Sequence, residues 1–252
     1  MIQFSIIFFA SLVATTLSSM SGGGASVIVI PVLLWLGIPF PLAVAAQKTS
    51  ALFWVLPASR NYLKGRKLDW GFLGIFTLVG LVGAYFGIKT ILVIDQRLLQ
   101  IFIGILILIL VTYTLLKKDI GLSEKKIYSQ FRRSISYVFA LILGFYESFF
   151  GSGNGIMFSI LTFHTRGFDF VDALGYYYLV AFPWDLFSAG FLMTKGYFNF
   201  SIFLPVVIGS VIGGYVGSKY ARYKGNRFIK IMFGVVGSIL GIKLLLGFGF
   251  FT

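Results

Sequence analysis

Two halves of the chain carry the same pattern at one constant offset, and that pattern interrupts membrane-length apolar stretches with glycine. Gly83, Tyr85, Gly87 and Lys89 reappear as Gly213, Tyr215, Gly217 and Lys219, each 130 residues on. The same shift takes Gly23 to Gly153, Gly37 to Gly167, Trp54 to Trp184 and Arg97 to Arg227. No gap is needed to bring the halves into register. A duplicated apolar domain broken by glycine at matching places is the pattern of secondary transporters that hold their binding site between two repeats.

The chain has 252 residues, of which 58% are hydrophobic and only 12% charged, against roughly 25% charged in an ordinary soluble domain. This composition predicts an all-α, polytopic membrane protein. The formal net charge of +13 would point to nucleic acid in a soluble protein, but here the basic residues fall in short loops between apolar spans. Membrane orientation accounts for them and no nucleic-acid partner is expected. With no cysteine, a disulfide framework and a Cys-ligated metal are both excluded. Residues 2–20 have the apolar run of a signal peptide without its basic start. Their counterpart at 132–150 lies mid-chain, so they are expected to be a mature span.

Full spans are expected near 3–20, 40–60, 70–91 and 97–116, with copies near 134–150, 170–193, 200–221 and 227–248. Between the first two spans of each half lies a shorter apolar piece, 25–37 and 155–167. Neither piece can cross about 30 Å of hydrocarbon at 1.5 Å per residue, so both are expected to be half-helices. The organisation is therefore a first repeat over 1–116, a linker over 117–133 and a second repeat over 134–252. Lysine and arginine set the orientation. The linker carries six of them and the turn at 60–67 carries Arg60, Lys64, Arg66 and Lys67, which puts both in the cytoplasm. In the second half the bias moves from the turn near Lys195 to 219–227. Equivalent loops then face opposite sides, the repeats are inverted, each has four spans plus one half-helix, and both termini are outside a bacterial inner membrane.

Glycine marks the chemistry. Gly22, Gly23 and Gly24 precede the first half-helix, and Gly153, Asn154 and Gly155 open the second. Three successive glycines cost too much inside a helix to serve stability, so they mark free backbone N–H groups and the positive end of a helix dipole. Two such N-termini converging at mid-depth make an anion site, while close helix packing is the plainer role for the same glycines. In the following span Gln47, Lys48, Thr49 and Ser50 offer a cation and several donors. A lysine that deep costs roughly 3 kcal/mol unless it faces a polar cavity. Tyr176, Tyr177 and Tyr178 take the equivalent positions in the second repeat. Glu147 and Asp185 also lie in apolar surroundings, and each is a candidate proton carrier, partner for Lys48 or helix-break cap. Asp185 is the better coupling candidate by its depth. His164 reads as a surface residue, Lys243 as one that snorkels outward, and no metal site is formed.

The run SGGGASVIVIPVLLWLGIPFPLAVAAQKTSAL at 21–52, the basic turn before LDW at 68–70, GLVGAYFG at 80–87 and GFYESFFGSGNG at 144–155 together resemble the two repeats of the TauE/SafE-type sulfite exporter family. The resemblance covers nearly the whole chain and implies a multi-span carrier of sulfur-containing oxyanions such as sulfite or sulfonates. Gly22 to Gly24 fit the family's first glycine cluster, Gly151, Gly153 and Gly155 its second, and Lys48 a lysine of some members. Departures are Ser152 where many members have proline, the three tyrosines, and Asp185 at a position that is often Asn or Ser.

The expectation is a secondary transporter of a small anion, driven by alternating access with proton coupling. It is expected to be neither an enzyme nor a cofactor protein, with membrane lipid around it and homo-oligomerisation left open. GSGNG is not followed by the Gly-Lys-Ser/Thr of a P-loop, which argues against ATP hydrolysis. An anion channel and an intramembrane enzyme or scaffold are the rival readings, and an enzyme would have only Glu147 and Asp185 to pair as acids.

Overall fold

The computed structural model describes residues 2–90, 96–127 and 129–246, and its regular structure there is entirely helical. The order is α1 (Ile2–Ser21), α2 (Ala25–Trp35), α3 (Phe40–Leu63), α4 (Trp70–Thr90), α5 (Gln96–Leu116), α6 (Gln130–Phe149), α7 (Asn154–Thr165), α8 (Phe170–Thr194) and α9 (Phe200–Leu246). Helices α1, α4 and α9 are long and apolar enough to cross a membrane by length and composition. The two spans expected at 200–221 and 227–248 are one continuous run broken only at Gly225 (φ 77, ψ −173). Glycine alone adopts that conformation cheaply, so the turn needs no loop. The last two residues of that expected span lie outside the described residues.

The half-helices are present at 11 and 12 residues, about 16 and 18 Å long. Each stops on a left-handed glycine at the same repeat position. Gly37 and Gly167 have φ 77 and 79, and the N–H groups of Ile38 and Gly167 reach back to the carbonyls of Leu33 and Thr162, satisfying helix-end acceptors.

Helices α3 and α8, at 24 and 25 residues, are about 36 Å long and turn their polarity inward. Gln47, Lys48, Ser50, Asp185 and Ser188 are buried, whereas Phe53, Leu56 and Leu186 are exposed. This is the arrangement lipid imposes, since a polar side chain is tolerated at depth only away from hydrocarbon. Glycine then lets the repeats clasp one another. On α4, a Cβ at Gly83 or Gly87 would run into the carbonyls of Leu141 and Phe145 on α6. On α9, Gly209, Gly213 and Gly217 meet the Phe8, Leu12 and Thr16 carbonyls of α1 in the same way. The third full span of each repeat thus lies against the first span of the other, at a distance only small residues permit.

Polar contacts collect several turns on one face. Arg66, after α3, pairs with Glu124 of the linker and with Asp169 and Asp172 at the start of α8. Lys125 N–H donates to the Gly167 carbonyl, and Arg222 donates to the carbonyls of Asn61, Tyr62 and Lys64. The end of α3, the linker and the start of α8 therefore share a face. The start of α3 and the end of α8 meet elsewhere, in an apolar cluster that includes Ile38, Leu192, Phe203 and Ile7.

One sequence expectation is corrected within the fold. Lys243 does not reach outward; its Nζ donates to the Val27 carbonyl at 2.8 Å. Pro31 lies four residues after Val27 inside α2 and has no N–H to give that carbonyl, so the lysine supplies the missing donor.

Candidate functional site

Helix α1 ends as its chain enters Gly22, Gly23 and Gly24, all at positive φ (73, 147 and 120). A side chain at Gly23 would collide with the backbone of Gly153, and one at Gly155 with the backbone of Gly22. The two glycine breaks are therefore in contact, and both are buried. Tyr178 OH donates to the Ser18 carbonyl at 3.1 Å and Tyr62 OH to the Ser19 carbonyl at 2.7 Å, which satisfies acceptors exposed where α1 stops. Across the breaks, Ser26 Oγ donates to the Phe150 carbonyl at 2.8 Å and lies against Ser152 Oγ.

Lys48 projects from α3 into this junction with 3% of its surface exposed. Its Nζ lies 2.9 Å from Glu147 Oε1 and 2.7 Å from Asp185 Oδ1. The three candidate charges of the sequence form one buried triad, in which both acids are ion-pair partners of Lys48. The carboxylates are held unequally. Glu147 also accepts from Tyr177 OH and Asn154 Nδ2, each at 2.7 Å to Oε2, while Asp185 accepts from Lys48 alone among the described residues. With both acids ionised the triad carries one positive and two negative charges. Lys48 is thus not the free cation that its position in the sequence implies.

The triad borders a small cavity of about 40 Å³, space for a few waters. Gly23, Gly24, Ser26, Gln47, Tyr177 and Tyr178 are among its lining residues. Gly24, Ala25 and Ser26, where α2 begins, line it, and helix geometry leaves first-turn amides without intrahelical acceptors. Several expected site residues do not reach the cavity. Tyr176 turns to the α3–α4 turn, where its OH accepts from Asp69 N–H at 2.6 Å. Three consecutive helical residues fan through about 200°, so they cannot all face one site. Ser50 Oγ folds back onto the Gln47 carbonyl, and Thr49, Gly22, Gly153 and Gly155 are not among the residues that line the cavity. Asn154 is taken up by Glu147 and by the Leu143 carbonyl. The breaks do converge, but of the two half-helix starts it is α2 whose first turn opens onto the cavity. From the second break Gly151 and Phe150 contribute instead.

Sequence reasoning missed Trp54, which also lines the cavity. The signal was its place seven residues after Gln47, two helical turns along the same face. His164 is exposed and shares a hydrogen bond with Tyr113 OH at 3.1 Å.

The chain matches the sequence profile of the family described as sulfite exporter TauE/SafE over residues 7–244. It is 27% identical to a probable membrane transporter protein of Haemophilus influenzae, covering 98% of this chain and 96% of that one. It is 26% identical to the probable membrane transporter protein ORF9 of a Sinorhizobium species, over 96% and 92% of the two chains. With the probable membrane transporter protein YfcA of Escherichia coli K12 the identity is 23%, over 95% and 88%. No solved structure is a significant match.

Proposed function

Because the chain belongs to the sulfite exporter TauE/SafE family of membrane transporters, we propose that it carries a small sulfur-containing oxyanion across the bacterial inner membrane by alternating access, with a proton moving in step. The observation that carries this reading is the sharing of one buried ammonium by two carboxylates. An anion drawn to Lys48 and the α2 amides competes with Glu147 and Asp185 for the same charge. While both acids are ionised the triad is net negative and repels it. A proton on one carboxylate releases part of Lys48 and makes the triad neutral, so anion and proton bind cooperatively. Asp185 is the proton carrier in this scheme, because Glu147 has three donors to stabilise its charge and Asp185 has one.

Inverted repeats suit this scheme, and the shared face of the α3 end, the linker and the α8 start supports them. The linker then lies in the cytoplasm and both termini outside. In reconstituted vesicles, sulfite uptake is expected to saturate, to show counterflow and to be accompanied by proton movement seen with a trapped pH reporter. Flux without saturation or counterflow would indicate a channel and overturn the carrier. Cysteines introduced at Ser123 and Asn199 are expected to label from opposite sides of the membrane, and labelling from one side would overturn the inversion.

A further inference from the structure

Trp54 and Trp184 occupy the same place in the two repeats, yet their indole N–H groups are treated differently. Trp184 Nε1 donates to the Thr77 carbonyl on α4 at 2.9 Å. A Cβ at Gly80 would strike that same edge of the ring, through Cζ2, Cε2 and Nε1, so the N–H edge lies against α4. Trp54 is turned the other way. The atoms it presents to Gly214 on α9 are Cβ, Cδ2 and Cε3, on the edge opposite Nε1. Its own N–H edge is therefore directed away from Gly214.

Trp54 is 5% exposed, lines the central cavity, and its Nε1 has no acceptor among the described residues. Buried indole N–H groups ordinarily find a partner. The exception here lies in the cavity beside the only buried lysine of the described residues. Gln47, Ala51 and Trp54 stand at i, i+4 and i+7 on α3, one helical face, and all three line the cavity. The small Ala51 lies between Gln47 and Trp54 along this face. Gln47 Oε1 is likewise buried and unpartnered. The indole is held in place by an edge-on contact with the Tyr178 ring at 5.1 Å.

We propose that Trp54 is a substrate-binding residue whose indole N–H donates to an oxygen of the transported anion. The inference rests on the proposed anion site and adds a requirement on its ligand. Lys48 and Trp54 are six residues apart, about 9 Å along the helix axis. A ligand reaching both presents acceptor oxygens on different sides, which a polyatomic oxyanion does and a halide does not. Trp184, with its N–H already used by Thr77, is the internal control for a tryptophan that serves the fold alone.

The test is a titration of the purified full chain with sulfite, ethanesulfonate and chloride, comparing the wild type with Trp54→Phe and Trp184→Phe. Trp54→Phe is expected to weaken sulfite and ethanesulfonate binding about tenfold (about 1.4 kcal/mol). Trp184→Phe is expected to lower the unfolding temperature and leave affinity unchanged. A second measurement does not depend on Trp54→Phe folding: with Trp35, Trp70 and Trp184 replaced by Phe, the one remaining 15N-labelled indole resonance is expected to move downfield on adding sulfite. If the wild type binds oxyanions while Trp54→Phe binds them equally well, or the Trp54 resonance stays put, the role of Trp54 is overturned and the anion site stands. If the wild type binds neither oxyanion, the anion site itself is overturned, and Trp54 with it. Chloride bound as tightly as the oxyanions would overturn the requirement for a polyatomic ligand.

Discussion

Replacing Asp185 with asparagine removes one of the two charges that hold Lys48 and leaves the other in place. In the wild type with both acids ionised, the ammonium is engaged at 2.9 and 2.7 Å. An incoming anion must displace one of these charge-assisted bonds, each worth roughly 1.5–3 kcal/mol. Asp185→Asn relieves that competition permanently, so anion affinity at alkaline pH is expected to rise by between about tenfold and about 150-fold. In the wild type a proton on Asp185 achieves the same relief. Wild-type affinity is therefore expected to fall as pH rises through the titration of the triad, by up to about tenfold per pH unit when one proton accompanies each anion. The Asn variant is expected to follow a flat line at or near the acid limit of the wild type.

Calorimetric titration with ethanesulfonate between pH 5 and 9 measures this directly, since the ligand's own charge does not change over that range. In vesicles the same variant is expected to keep anion exchange, which needs no net proton transfer, and to lose uptake driven by a pH gradient. An Asn variant with the wild-type pH slope would refute the reasoning and leave Asp185 as a structural partner of Lys48. Glu147→Gln gives the contrast. Its carboxylate serves Lys48, Tyr177 and Asn154 at once, and a Gln amide offers one acceptor and an NH2 that opposes the remaining donors. That variant is expected to lose stability before it changes pH dependence.

Two further outcomes follow from buried groups left without partners. Lys48→Met strands two carboxylates and is expected to cost about 3–5 kcal/mol; combining it with Glu147→Gln and Asp185→Asn should recover much of that loss in thermal unfolding yet restore no anion binding. Single and triple variants that unfold at the same temperature would show that the triad is not a stability unit. Lys243→Met strands the Val27 carbonyl and is expected to cost about 1–3 kcal/mol. In a Pro31→Ala background the loss should shrink, because residue 31 then has an N–H to offer; an unchanged loss in that double-mutant cycle would exclude the proposed exchange of donors.

Much of the scaffold was legible because it is written in residue identity alone. A glycine that must take positive φ, or must let a neighbouring backbone approach, cannot be another residue, so the breaks at 22–24 and 151–155 and the clasping glycines at 83, 87, 213 and 217 show in the chain itself. The inward lysine was legible for a similar reason, since lipid excludes it. The partners of that lysine were legible only as one of three alternatives for Glu147 and Asp185. Glu147 and Asp185 lie 99 and 137 residues away, and their meeting depends on how α6 and α8 pack around α3, which the order of residues along any one helix does not encode. The tyrosine triplet was over-read for a reason that was available from the start, because consecutive helical positions diverge by about 100°. The Lys243 partner was hidden twice over, by distance and by the fact that the clue lay in Pro31, a residue whose importance is a missing N–H group.

The two halves match closely in the order and lengths of their first three helices and are markedly asymmetric in charge. Lys48 belongs to the first repeat, and both of its acids belong to the second. The position equivalent to Lys48 is Tyr178, and those equivalent to Glu147 and Asp185 are Leu17 and Val55. Under the proposed mechanism, access alternates when one repeat moves against the other, and any such movement changes the distance between the lysine and its carboxylates. Separating them with all three groups charged would leave buried ions uncompensated, at a cost of several kcal/mol each. The movement becomes affordable when a proton has neutralised a carboxylate and an anion has taken its place at Lys48. Had the three charges lain in one repeat, they would travel as a rigid group and their protonation would be indifferent to the direction the site faces. Division of the triad between the repeats is what links proton, anion and conformational change in a single equilibrium.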